Sequence, residues 1–289
     1  MKKRSVLNSP RLKEIKKKRN AVVRRKIFFW ALGIAALLAG LVFLSRWGEL
    51  NIENISIAGS KVVDAKEIQG VVRADLIGKY LFLFPKTNVA VYPKKKIEAD
   101  LKAKFKRLED IKLEIGELKT LDIKVTEREP AYIWCGENLP DSDTEEDCYF
   151  SDENGYVFDV APYFSGDVYF KLYGPLSGSN PEGSEFLPDS FSHIIYFKDA
   201  ITKLGLAPVA LLADPGGDAD IYLSSAGPVA QAPKIIFNPS ADVEKLAENL
   251  QAALGTEPLH TDFDKKYSSL QYLDMRFGDK VYYKFTGGN

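Results

Sequence analysis

Ile27 to Leu44 is an unbroken run of eighteen uncharged residues. As a helix rising about 1.5 Å per residue it covers about 27 Å, close to the hydrocarbon thickness of a bilayer. Trp30 and Trp47 stand near its two ends, where amphipathic rings favour the membrane–water boundary. Past this run the period changes. Leu50 to Ala58 alternates apolar and polar positions with a shift at Asn54, then stops at Gly59-Ser60, which predicts a strand and a turn. Asp64 predicts the cap of a helix running through Ala74, with Glu67 three residues on as a capping-box partner. Leu81 to Phe84 is a short apolar segment closed by Pro85. Over Lys94 to Lys106, Ile97, Leu101 and Phe105 fall on one face and lysines cover the other, predicting a second amphipathic helix. Two strands follow, Ile111 to Ile115 and Leu121 to Val125, separated by Gly116-Glu117. The pattern from Leu50 to Val125 is therefore β-α-α-β-β.

Charge orients the apolar run. Met1 to Lys26 holds twelve Lys or Arg and one acid, Glu14, while residues 27–289 hold 27 basic and 39 acidic residues. A formal net charge of −1 hides two oppositely charged parts. Lys and Arg resist translocation and are drawn to an anionic inner leaflet, which places the N-terminus in the cytoplasm and the C-terminal part outside. A cleaved signal peptide also starts basic and turns apolar, but here the basic part is long. No small-x-small site closes the run, which continues Ser45, Arg46, Trp47, Gly48. A retained anchor in the lipid bilayer is the better reading. A helix buried in a soluble core would be apolar on every face directly after Arg24, Arg25 and Lys26, a poor match. The basic tail lacks aromatic interleaving and a base-reading module, so it reads as a topology and lipid-surface signal, with no nucleic acid as partner.

Cys135 and Cys148 are the only cysteines, with twelve residues between them, which is neither a zinc-knuckle nor a thioredoxin spacing. Outside the membrane a disulfide persists, and strand-like residues border both sides: Ala131 to Trp134 before, Tyr149 to Phe150 after. A long hairpin stapled at its base is expected, worth about 3 kcal/mol in the chain-entropy model. The alternative is a pair of buried thiols in a poorly oxidising compartment. The loop between carries Asp141, Asp143, Glu145, Glu146 and Asp147. It lacks the turn Gly and the terminal Glu of an EF-hand and reads as a solvated insertion.

Catalytic equipment is sparse. His193, at the start of a predicted helix, and His260, in a polar loop, have no paired-ligand spacing. Neither a G-x-S-x-G elbow nor a Walker loop is present. Asp214, Gly216, Gly217, Asp218 and Asp220 lie between two apolar segments and read as a turn rather than a metal site. Glu127 and Arg128 lack a nucleophile beside them and read as a structural pair at a domain junction. No enzyme activity, cofactor or metal is expected. The last segment carries Tyr272, Phe277, Tyr282, Tyr283 and Phe285, whose alternation puts some on an outer face. Such a strand, left at a sheet edge, accepts another chain's strand; the plainer reading is that these rings complete a core.

The β-α-α-β-β order just beyond an anchor is the POTRA pattern. The stretches LNIENISIAGSKVVDAKEIQGVV, GKYLFLF and TLDIKVTEREPAYIW resemble the bacterial cell-division family FtsQ/DivIB. Glu127, Arg128, Glu129 and Pro130 match that family's Glu-Arg-x-Pro run, and Asp152, Gly155, Val157 and Phe158 its D-x-x-G-x-V-F motif. LQYLDMRFGDKVYYKF is similar to its C-terminal Y-I-D-L-R-F/Y segment, with Asp274, Arg276 and Phe277 in matching places. The layout between follows as well. It has a helix near Ser190–Leu204, strands near Leu206–Ala213, Ile221–Ser224 and Lys234–Phe237, a helix near Ala241–Leu254, and a closing pair Leu270–Phe277 and Lys280–Phe285. The acidic loop and Asp167–Pro188 look like additions.

The resemblance implies an α+β chain in four parts: a cytoplasmic basic tail (1–26), a transmembrane helix (27–44), a POTRA domain (45–128) and a mixed α/β domain on an extended sheet (129–289). It implies a non-enzymatic scaffold of the division machinery. That scaffold would bind FtsB (DivIC in Gram-positive bacteria) and FtsL outside the cytoplasmic membrane, with Asp274, Arg276, Phe277 and Tyr282 as candidate contacts. The rival readings are a POTRA-bearing protein of polypeptide transport or envelope assembly and an anchored extracytoplasmic enzyme.

Overall fold

A computed structural model of the chain describes residues 10–117, 119–140, 147–164 and 166–286. The first nine residues of the basic tail, and Asp141, Asp143, Glu145 and Glu146 of the acidic loop, lie outside the described residues. Helix α1 (Pro10–Ser45) is continuous over 36 residues, about 54 Å at the usual rise. The basic segment is helical along with the apolar one, because Pro10 starts the helix and neither Gly nor Pro interrupts it before Gly33. The helix is long and apolar enough to cross a membrane. Among its described side chains from Lys16 onward, all are exposed except Val42 and Ser45, one turn apart on one face.

The chain divides into two compact units, Met1–Lys104 with Asp110–Thr126, and Phe105–Glu109 with Glu127–Asn289. In the first, a 3-10 turn (Gly48–Leu50) leads to β1 (Asn54–Ala58). The alternation from Leu50 predicts an earlier start. The residues before Asn54 are taken elsewhere: Ile52 N–H donates to Thr87 O at 2.8 Å and Val89 N–H to Leu50 O at 2.9 Å. Helix α2 (Ala65–Leu76) starts where expected, with the Asp64 carboxylate accepting from Lys66 N–H at 2.8 Å. It buries Ile68, Val72 and Leu76 on the i, i+4, i+8 stripe.

Helix α3 (Lys94–Lys104) packs beside α2, buries Ile97 and Leu101, and ends before Phe105. Strands β4 (Leu108–Ile115) and β5 (Thr120–Glu127) complete a three-stranded sheet in the order β1-β5-β4, with Ile55 opposite Leu121 and Ile57 opposite Ile123 in the parallel β1–β5 pair. Gly59 closes β1 at φ +93°, where an added Cβ would stand 2.1 Å from Val125 O. That close approach admits glycine alone.

Between α2 and α3 the short apolar segment forms a hairpin, β2 (Lys79–Tyr80) paired with β3 (Phe84–Pro85). Leu83 N–H donates to Tyr80 O at 2.9 Å, closing a turn whose central residues Leu81 and Phe82 have φ +48° and +61°. Positive φ at both centres belongs to Asn-Gly turns; Leu and Phe there cost about 1–2 kcal/mol each. Their side chains are 82% and 92% exposed.

The second unit is built on a nine-stranded sheet in the order β14-β13-β12-β11-β10-β9-β6-β7-β8. Its strands are β6 (Tyr132–Trp134), β7 (Tyr149–Ser151), β8 (Val157–Val160), β9 (Lys171–Tyr173), β10 (Pro208–Ala213), β11 (Ala219–Leu223), β12 (Lys234–Phe237), β13 (Leu270–Phe277) and β14 (Lys280–Phe285). Two of its parallel pairs, β9 with β10 and β12 with β13, are bridged by helices, as parallel neighbours require. Helix α4 (Phe191–Lys203) makes the first crossover; α5 (Val243–Leu254) and α6 (Leu259–Lys266) make the second.

Phe191, Ile194, Phe197 and Ile201 of α4 and Leu246 and Leu250 of α5 share one core with Leu211, Ile221, Ile235 and Leu273 of the sheet. Phe197 meets Phe237 with ring centroids 4.8 Å apart, and truncating a ring so buried costs about 3–5 kcal/mol. The opposite face is covered near β6 and β7 by a smaller cluster that includes Ile133, Cys135, Cys148, Tyr173 and Tyr222.

Two sequence expectations change here. The Asp167–Pro188 segment, expected as an addition, carries β9, which lies inside the sheet between β6 and β10 with Leu172 and Tyr173 fully buried. His260, expected in a polar loop, lies on α6, where its ring Nδ1 is 3.0 Å from Leu254 O. Leu259 turns this short polar segment into a helix by anchoring in the core.

Candidate partner-binding edge

The closing hairpin places the C-terminal aromatic residues. Phe277 pairs with Lys280, leaving Gly278-Asp279 as a two-residue loop with Gly278 at φ +67°, the conformation a primed hairpin turn asks of its first central residue. Helix α5 holds this loop: Asn249 Nδ2 donates to Gly278 O at 3.1 Å, and Lys245 Nζ pairs with Asp279 at 2.6 Å. β14 is bonded to β13 on one side and is the last strand of the sheet, so its other side presents a row of main-chain donors and acceptors.

Alternation sorts the side chains of β14. Val281, Tyr283 and Phe285 pack against the main core, while Lys280, Tyr282 and Lys284 point away and are exposed. On the helix side, Val281 and Tyr283 form one wall of a groove of about 280 Å³, with Asn249, Ala253, Thr256 and Pro258 opposite. On the other face, Tyr282 lies directly across from Asp274 in the antiparallel register. Tyr282 and Phe277 make an edge-to-face pair, 5.2 Å between centroids, yet are 49% and 55% exposed. The Arg276 guanidinium stands 5.8 Å from the Phe277 ring centre.

Asp274 sits differently from the two rings, only 7% exposed. Its carboxylate accepts from Arg276 Nε at 2.9 Å and Nη2 at 2.6 Å, and from Arg276 N–H at 3.2 Å. The Arg276 hydrogen bonds hold the Asp274 carboxyl below the usual aspartate range, against the opposing effect of burial. Arg276 Nη1 also donates to Asp218 at 2.8 Å, and Asp218 accepts from Asn238 Nδ2 at 3.3 Å. Of the four residues singled out in the sequence, Phe277, Tyr282 and Arg276 are thus presented at the surface. Asp274 lies beneath Arg276 and fixes it.

Asp218 escapes sequence reasoning as a partner of Arg276, because 58 residues separate them and only the sheet order brings them near. The groove beside α5 escapes it too, although the alternation of Val281, Tyr283 and Phe285 was its one sequence signal. Asp214 to Asp218 form a turn, with the Asp214 carboxylate accepting from Gly216 N–H at 2.8 Å, and Asp220 follows on β11. Its later acids are used as ion-pair partners: Asp218 by Arg276, and Asp220 by Lys234 at 2.6 Å. These groups line a cleft of about 460 Å³ on the sheet face away from the helices.

Elsewhere in this unit, Cys135 and Cys148 are joined across the mouth of the β6–β7 hairpin, Cα atoms 4.2 Å apart, one step beyond the Trp134–Tyr149 pair. Arg128 pairs with the buried carboxylate of Asp152 and stacks over the Tyr156 ring at 4.1 Å. His193 lies exposed near the start of α4. Compared with known proteins, the chain matches no protein-family model and no curated protein.

Proposed function

We propose that this chain is a non-enzymatic, single-pass scaffold of the bacterial division machinery, of the FtsQ/DivIB kind, that binds an FtsB- or DivIC-like protein by strand addition to β14. The observation that carries the reading is the open edge of β14, flanked by an exposed aromatic pair on one face and an apolar-walled groove on the other. An added strand would gain main-chain bonds along the edge and place alternate side chains on Phe277 and Tyr282 or into the groove. Lys280 and Lys284 bracket Tyr282, which discourages indiscriminate edge pairing and favours a partner strand with acids opposite them. Asp274 acts as a positioning residue for Arg276.

The topology proposed is N-terminus in the cytoplasm and both units outside. It is supported by α1 and by the excess of basic charge before it. The strand and helix order of the first unit, with β1 parallel to β5, supports the POTRA reading of residues 45–128. An FtsL-like protein would join the same assembly.

The test is binding of the full chain in nanodiscs to the extracytoplasmic segment of the FtsB- or DivIC-like protein from the same cell. Phe277→Ala and Tyr282→Asp are each expected to weaken it at least about tenfold, roughly 1.4 kcal/mol. Unchanged affinity in both variants would remove the edge as the site. A wild-type chain that forms no complex at high micromolar concentration would remove the divisome assignment.

A further inference from the structure

The β2–β3 hairpin breaks two local rules at once. Its turn puts bulky apolar residues, Leu81 and Phe82, where the backbone favours Asn and Gly, and then leaves both side chains almost wholly exposed. Strain held in the backbone to present an apolar tip points to something that the tip must touch.

The place of the tip says what that is. β3 lies beside α1, and Arg46 Nε, just past the helix end, donates to Leu83 O at 3.4 Å. The residues after β3 are knotted to the same point: Asn88 Nδ2 donates to Ser45 O at 3.1 Å, and Thr87 Oγ1 to Asn51 Oδ1 at 2.8 Å. Asn51 Nδ2 reaches Ser45 O at 3.2 Å as well. The hairpin is thereby held level with the last turn of the apolar helix, where Val42 and Ser45 are the covered positions. Its base is cationic and aromatic: Lys79 lies on β2, and Lys86 Nζ is 5.9 Å from the Tyr80 ring centre. An apolar tip over a Lys- and Tyr-bearing base is the composition of a segment seated at the headgroup–acyl boundary.

We propose that the Lys79–Pro85 hairpin is a lipid-inserting wedge, with Leu81 and Phe82 entering the leaflet from which α1 emerges. The occupant of the tip is the bilayer, because the hairpin is tied to the last turn of the apolar helix and its tip is as exposed as the apolar side chains of that helix. The proposal rests on α1 crossing the membrane. It gives the first unit a second membrane contact and fixes its depth.

The test uses the full chain in phosphatidylcholine–phosphatidylglycerol liposomes. Phe82→Cys carries an environment-sensitive fluorophore, with the native cysteines already bonded to each other. Phe43→Cys on α1 and Tyr163→Cys on the second unit, both exposed in wild type, serve as membrane and water references. The expected result is strong quenching at 82 by lipid spin-labelled near the headgroup, as at 43, with several-fold weaker iodide quenching than at 163. Quenching at 43 but not at 82 overturns the wedge while leaving the anchor. A label at 82 shielded from iodide yet untouched by spin-labelled lipid also overturns it, since a protein surface would then cover the tip. Absence of lipid quenching at 43 removes the anchor, and the wedge falls with it.

Discussion

A β-branched or γ-branched side chain resists positive φ, and Phe82 and Leu81 adopt it side by side. The double replacement Leu81→Asn with Phe82→Gly supplies the residues that such a turn prefers. It is expected to raise the stability of the full chain in detergent by about 1–3 kcal/mol, seen as a higher midpoint in thermal unfolding. A midpoint equal to or below that of wild type would show that the turn holds no strain. Neither residue betrays its conformation in the sequence, where LFLF reads as any short apolar segment. Residues whose role is local were legible. Asp64 and the stripe Ile97–Leu101 work through neighbours two to four positions away, so spacing alone finds them. Arg276 was legible as a surface candidate, but its pairing with Asp218 was not, because that contact exists only once β10 to β13 are in order.

Among the elements, the β6–β7 hairpin depends most on one covalent bond. Its strands are three residues each, too short to hold a loop of this length by ladder bonds alone. Replacing both Cys135 and Cys148 by Ser is expected to cost about 3 kcal/mol in denaturant unfolding of the full chain. A reductant should lower the stability of wild type by a similar amount and leave the double variant unaffected. Equal stability of wild type and variant under oxidising conditions would count against a stabilising bridge. Longer amphipathic or alternating elements such as α2 and β5 were readable from their period, whereas β13 was placed by the family resemblance. β9, with only Lys171 to Tyr173, was not, because three residues carry no measurable period and its burial comes from neighbours on both sides. The same holds for α6, where the helical state is decided by tertiary anchoring of Leu259 rather than by its own composition.

For the molecule as a whole, the ion pairs on the open face of the large sheet make folding sensitive to acid. Asp274 has its carboxyl held low by Arg276 in the folded state. Its contribution is therefore complete above the ordinary aspartate range, near pH 4, and is lost as pH falls through the lowered folded value. Arg276→Gln is expected to lower the unfolding midpoint at neutral pH and to flatten its fall between about pH 5 and pH 2. Parallel midpoint-against-pH curves for wild type and variant would sink this account.

The mixed α+β class and the long apolar helix were legible in the sequence, since both follow from pattern over many residues. That α1 has no break at its C-terminal end was not. Helix α1 runs unbroken to Ser45, and the Asn51 and Asn88 amides grip that last carbonyl. A helix turns by about 100° per residue, so under the proposed membrane crossing the azimuth of the rest of the first unit around the membrane normal is written into the phase of residues 27–44. Whichever stripe of that span another helix packs against also decides which compass direction the first unit faces.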